Sequence, residues 1–339
     1  MLVDVTGTPD FTRQPKIELH IHLDCSLMRS ALHRLGDPIG ETDFRRIYTA
    51  PERCSTLLTY LMAIEPSCAV LQTAPALRIA MEELLRALAS DGVIYAEIRF
   101  APHTHQGGGL GLDEVMAAVT DGLAAGMEAT GITAGLLLCA LRDYTPEQNL
   151  PVIDLAHRWR DRGVVGVDLA GDEAGHPAAA NRSVFNRAHE LGLPVTAHAG
   201  EAAGPDSLRE VIDLLRPARI GHGVRAIESE DILAEIKARN LHLEICPSSN
   251  IQVGVFGAYG DHPVDQLSRR GLSLSINTDA RTVAPLSLSL EYRRLAKCFG
   301  WRAGEFLAHN LEAVRHAFLP ASEKAGLSAR LIDGWGARD

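Results

Sequence analysis

Two histidines two apart, His20 and His22, close the stretch KIELHIHLD (16–24). A strand needs no imidazole to fold. An imidazole does offer a nitrogen lone pair to a metal, or carries a proton, near neutral pH. Strand side chains alternate with period two, so both histidines share one face, with Ile17, Leu19, Ile21 and Leu23 on the other. His198 in HAGE, His222 in GHG and Asp279 in INTD end later apolar runs in the same way. Imidazoles with a carboxylate suit zinc, which holds such donors and keeps a position open for water. Glu201 follows His198 closely, as a proton carrier or as a carboxylate complementing a helix N-terminus.

These residues need elements to position them. Eight β-branched or apolar runs recur: 17–23, 93–100, 132–141, 164–171, 194–200, 218–223, 241–247 and 272–277. Helical patterns such as 113–130 and 206–217 separate them. Strand–helix alternation implies a parallel sheet, and eight units is the number that closes a (β/α)8 TIM barrel; an open doubly wound sheet is the alternative. The α/β barrel is read as one domain, 1–339, in which strand ends at one rim carry the site. The interval 26–91 is far longer than an ordinary connection. Its stretches 57–67 and 73–92 look helical, giving a helical insertion after the first strand that could act as a lid.

Lesser signals have plainer expectations. His103 and His105 fall in a Pro- and Gly-rich loop and are expected to be solvated, and GGGLG (107–111) is a flexible loop, since no Gly-Lys-Ser/Thr follows it. Glu97 and Arg99 are expected to form a structural ion pair inside the barrel. Gly171 ends the fourth strand as a tight turn or as bare backbone for a ligand, and Asp24 either caps or binds substrate. The fourth strand carries no lysine to bridge a second ion, which favours one zinc per chain.

A net charge of −10 argues against nucleic acid and anionic membranes as partners. Six cysteines without C-x-x-C spacing read as no disulfide framework and no four-cysteine metal site. The N-terminus shows no leader pattern and no apolar run is long enough to span a bilayer, so a cytoplasmic protein is expected.

In order, KIELHIHLD, VIYAEIRFAP, VVGVDLAGDE, HAGE, RIGHG, EICPSSN and INTD resemble the adenosine deaminase family of the amidohydrolase superfamily over residues 16–279, and FLAHNLEAVRHAFLP (306–320) is similar to its C-terminal helix. The resemblance implies that His20, His22, His198 and Asp279 ligate zinc, that Glu201 protonates purine N1, and that His222 orients the attacking water. It further implies that the Gly171 amide meets N3 and that Asp24 holds the ribose 5′-hydroxyl. Cys25 replaces the family's glycine, and Ala280 replaces a second aspartate that hydrogen-bonds N7, for which Arg281 is a candidate substitute. The implied reaction is hydrolysis of adenosine to inosine and ammonia. A modified adenine nucleoside, such as the aminodeoxyfutalosine of menaquinone biosynthesis, is the alternative, followed by adenine or AMP. Other classes are a non-catalytic nucleoside binder, which would have a broken metal set or no Glu201, and a binuclear phosphoesterase. The partner is a small purine nucleoside; oligomeric state is not legible.

Overall fold

Ile-, Val- and Leu-rich runs form eight strands: β1 (Lys16–His22), β2 (Val93–Phe100), β3 (Thr133–Leu141), β4 (Val164–Ala170), β5 (Thr196–Ala199), β6 (Arg219–His222), β7 (His242–Ile245) and β8 (Leu274–Ile276). They are seen in a computed structural model that describes residues 10–336; residues 1–9, where part of the leader reading falls, and 337–339 lie outside the described residues. β1 to β4 pair in parallel in sequence order, as do β5 to β8. Backbone bonds cross both gaps between these two sheets. Val167 N donates to Pro194 O at 2.9 Å beside a Val167–Val195 bridge. At the other seam His22 N donates to Asp279 O at 2.9 Å, and Asp279 N donates to His20 O at 2.8 Å. The eight strands thus close as a (β/α)8 barrel.

One irregularity re-aims the first strand. Glu18 pairs with Ala96, but Ile21 pairs with Ile98, so one extra residue of β1 falls between them. Such a bulge reverses the alternation of side chains. Ile17, Leu19, Ile21 and Leu23 nevertheless all join the main apolar core, and His20 and His22 both reach Asp279 Oδ1. Glu18 bonds Thr278, through N at 3.1 Å and Oγ1 at 2.8 Å.

The long interval after β1 holds α1 (Arg29–Arg34), α2 (Glu41–Tyr48), α3 (Leu57–Met62), α4 (Glu65–Val70) and α5 (Ala74–Ser90). Thr56 and Thr73 cap α3 and α5, each accepting from a backbone N–H three residues on. The expected single helix over 57–67 is two, because Pro66 lacks an N–H and fits only the first turn of a new helix. After β2 to β6 come α6 (Leu112–Thr130), α7 (Pro146–Trp159), α8 (Arg182–Glu190), α9 (Pro205–Glu210) and α10 (Glu230–Ala238). α11 (Pro247–Gln252) and α12 (Val264–Arg269) follow β7; α13 (Leu288–Phe299), α14 (Ala303–His316) and α15 (Ala321–Gly336) follow β8. α5 and α6 approach closely because Gly122 and Gly126 face α5: a Cβ there would lie 2.4 Å from Arg78 O and 2.4 Å from Leu85 Cδ1.

The barrel interior is charged as well as apolar. Arg99 bonds Asp168 (3.1 Å), Glu244 (2.6 Å) and Leu19 O (2.7 Å). Arg219 bonds Glu244 (2.6 Å) and Glu97 (2.5 Å). Glu97 and Arg99 are both buried inside, as expected, but each pairs across the barrel rather than with the other. They sit two apart on one strand, whereas facing strands bring opposite charges into contact.

Candidate active site

The barrel closure itself assembles the site. The seam that bonds Asp279 to the backbone of His20 and His22 sets its carboxylate against their rings, with Oδ1 3.4 Å from each Nε2. His198 Nε2 lies 3.2 Å from His22 Nε2. Gly221 on β6 leaves the space: a Cβ there would lie 2.9 Å from His20 Cε1 and 3.2 Å from His198 Cα. Asp279 (φ 64°) and His222 (φ 61°) adopt the left-handed region, a conformation that costs non-glycine residues of order 1–3 kcal/mol and clusters at functional sites.

The charged interior fixes which nitrogens face inward. His20 Nδ1 is 2.8 Å from Glu244 Oε2, and His198 Nδ1 is 3.0 Å from Asp168 Oδ2. Burial opposes ionisation of both carboxylates, yet Arg99 and the imidazoles hold them well below the usual range, so each ring donates from Nδ1. The Nε2 lone pairs of His20 and His198 then converge on the Asp279 carboxylate. His20 Nε2 is buried with no hydrogen-bond partner. A cation placed among these nitrogens and the carboxylate would be attracted by all of them. Zinc–nitrogen bonds of about 2.0 Å in a tetrahedron put ligands roughly 3.3 Å apart, which matches the 3.2–3.4 Å separations here. The donor set fits zinc. A ring nitrogen of His222 also lies within 4.8 Å of ligand atoms of His20, His198 and Asp279. Its Nδ1, however, accepts from Asn250 Nδ2 at 3.1 Å.

Glu201 is buried beside this cluster, with Oε1 accepting from Asn250 Nδ2 at 3.0 Å. Burial, then the charges of Asp279 and Glu173, push its pKa well above the usual carboxylate value. Its loop is held by the Glu173 carboxylate, which accepts from Gly200 N (2.6 Å), Glu201 N (3.0 Å) and Ala203 N (3.0 Å). Burial likewise keeps the imidazoles of His22 and His222 neutral.

His22, His198, Glu201, His222 and Asp279 line one cavity of about 460 Å³ together with Asp24 and Gly171. Gly171 has φ 105°, so a side chain there would strain the turn. Asp24 accepts from Ala101 N at 3.2 Å and meets His105 Nε2 at 2.7 Å. His105 is thus fully buried, not solvated; its Nδ1 donates to Leu71 O at 2.9 Å. Arg281 is not among the residues lining the cavity; its guanidinium bonds Asp91 at 2.6 Å and Leu286 O at 3.3 Å, while Nη1 is buried without a partner among the described residues. Sequence reasoning missed Asp168, Glu244, Asn250 and Glu173. The signal was present for two of them: Asp168 is the one charged residue of an otherwise apolar strand, and Glu244 lies between Leu243 and Ile245 in a fully buried one.

Replacing Glu244 by Ala should lower unfolding free energy by about 3–5 kcal/mol, because two buried arginines lose the carboxylate they share and are left with one partner each, Asp168 for Arg99 and Glu97 for Arg219. Urea unfolding followed by circular dichroism measures this; an unchanged midpoint would mean the interior charges do not support the barrel.

The family model described as Adenosine deaminase matches residues 15–334. An adenosine deaminase of Enterococcus faecalis is 36% identical over 323 residues, covering 94% of this chain and 96% of its own length. Among solved structures, adenine deaminase of Arthrobacter aurescens superposes with a TM-score of 0.86 at 26% identity, covering 96% of this chain and 100% of its own. Arabidopsis ADAL complexed with IMP gives a TM-score of 0.84 at 26% identity, covering 95% and 97%.

Proposed function

The chain belongs to the adenosine deaminase family and is a hydrolytic aminohydrolase of adenosine-type substrates; from this premise we propose that its substrate is adenosine, converted with water to inosine and ammonia, and that its metal is one zinc ion. The observations that carry the zinc assignment are Asp279 Oδ1 at 3.4 Å from the Nε2 atoms of both His20 and His22, His198 Nε2 at 3.2 Å from His22 Nε2, and the grouping of His20, His198 and Asp279 ligand atoms within 4.8 Å. His20, His22, His198 and Asp279 would hold the ion. Bound there, zinc would supply the Lewis acidity that makes water a nucleophile at neutral pH.

The chain's own groups divide the remaining work. Asn250 occupies Oε1 of Glu201, which leaves Oε2 to carry a proton to purine N1 as water adds at C6. Because Nδ1 of His222 accepts from Asn250, the proton of the neutral ring sits on Nε2, suited to orienting the water rather than deprotonating it. The Gly171 amide would meet N3. Asp24, steadied by His105, would hold the ribose 5′-hydroxyl.

The cavity also argues for a nucleoside over a nucleotide. No Lys or Arg is among its lining residues, and Asp24, Glu65 and Asp143 are. A 5′-phosphate placed near Asp24 would meet like charge, which costs several kcal/mol. We expect kcat/KM for adenosine to exceed that for AMP by at least about a hundredfold, since 1.4 kcal/mol is a factor of ten. An ammonia-release panel of adenosine, AMP, adenine and a 5′-elaborated adenine nucleoside tests this. Preference for AMP would overturn the nucleoside reading, and turnover of none would overturn the deaminase reading.

Residues 1–339 are proposed as one catalytic domain with 26–91 as its cover. Support comes from α3, α4 and their link, which contribute Leu57, Tyr60, Leu61, Ile64, Glu65 and Cys68 to the cavity wall. Six free cysteines, four of them buried, suit a reducing compartment, and we place the enzyme in the cytoplasm. No single described helix is long and apolar enough to cross a membrane.

A further inference from the structure

Tyr60 is the one tyrosine that α3 delivers to the cavity wall. It is 3% exposed, and its hydroxyl has no hydrogen-bond partner among the described residues. A buried hydroxyl left unpaired costs free energy unless a ligand completes it. Tyr60 packs with Cys25 and with Ala280, the residue after Asp279, and shares the cavity wall with Glu201 and Asp279, so it lies on the metal side of the cavity, near where the purine would be attacked. Burial and these neighbours raise its pKa, which keeps the phenol a donor.

The nearest polar side chain is Ser249, whose hydroxyl is already given to Asp279 Oδ2 at 2.6 Å. Tyr60, Cys25 and Ala280 belong to one buried apolar cluster. Ala280 offers only a methyl group where the family pattern has an acidic contact to N7, and Arg281 is turned away to Asp91. Ring N7 is an acceptor and needs a donor. On the reading that an adenine nucleoside fills this cavity, we infer that the Tyr60 hydroxyl donates a hydrogen bond to purine N7 and so reads the imidazole edge of the substrate from the inserted helix.

The test pairs Tyr60→Phe with a substrate in which N7 is replaced by C–H, 7-deazaadenosine. Tyr60→Phe removes an unpaired oxygen and nothing else, and a thermal melt checks that the fold is kept. For adenosine, kcat/KM should fall by about ten- to a hundredfold; for 7-deazaadenosine it should change by less than about threefold. Binding of inosine, followed by calorimetry, should weaken in parallel and gives a readout independent of turnover. Equal losses on both substrates, or no loss on adenosine, would overturn the role of Tyr60 while leaving the deaminase reading intact. A wild-type protein that turns over neither substrate and binds no inosine would overturn both.

Discussion

Glu201→Gln should lower kcat for adenosine by about a hundred- to ten-thousandfold, the range that loss of a positioned proton carrier produces, while metal content stays near one ion per chain. The amide keeps the shape and still accepts from Asn250, which bonds Oε1 of the wild-type carboxyl. It has no proton to give. The pH dependence separates this from a packing defect. Burial and the charges of Asp279 and Glu173 raise the Glu201 pKa, so the protonated form persists above the usual carboxylate range. Activity that needs the acid is present below that raised pKa and is lost as pH rises through it. The wild-type kcat/KM profile should therefore show a descending limb that the Gln variant lacks. Steady-state kinetics across pH measures both, and a variant with wild-type turnover would remove Glu201 from the mechanism.

His22→Ala is the second change with a large expected effect. His22 is the most open of the three imidazoles that face Asp279, at 12% side-chain exposure, so its truncation disturbs packing least. One donor of four is lost, and the Asp279 and His198 groups it faces remain. The variant should lose its metal on dialysis against a chelator that spares the wild type, and turnover should drop by at least about a thousandfold, since the nucleophile depends on the ion. His222→Ala makes the contrast. Its ring is tied through Nδ1 to Asn250, so this variant should keep the metal and lose rate. Metal analysis of both after dialysis decides which histidine holds the ion. Loss of metal from His222→Ala with retention in His22→Ala would reverse the two roles.

Much of this was legible in sequence because strand-end positions repeat. The run VIYAEIRF coincides with β2, and His20, His22, His198, His222 and Asp279 all come from ends of strands that a barrel brings to one rim. What local pattern could not reveal depends on partners distant along the chain. Arg99 faces Asp168 and Glu244 rather than its strand neighbour Glu97, because charge pairing follows the curvature of the barrel. His105 lies in a glycine-rich loop yet is buried, because Asp24 and Leu71 O capture both its nitrogens. Arg281 adjoins the site in sequence, but Asp91 offers a buried counter-charge elsewhere. Tyr60 carried no local signal; only its place in the cavity wall distinguishes it from a core aromatic.

The central claim is that His20, His22, His198 and Asp279 gather around one divalent ion. Crystallography of the purified protein with diffraction data on either side of the zinc absorption edge tests it most directly. One anomalous peak per chain, bounded by those four side chains, is the predicted result. A fully active protein with no peak among them, or with its metal bound elsewhere, would contradict it.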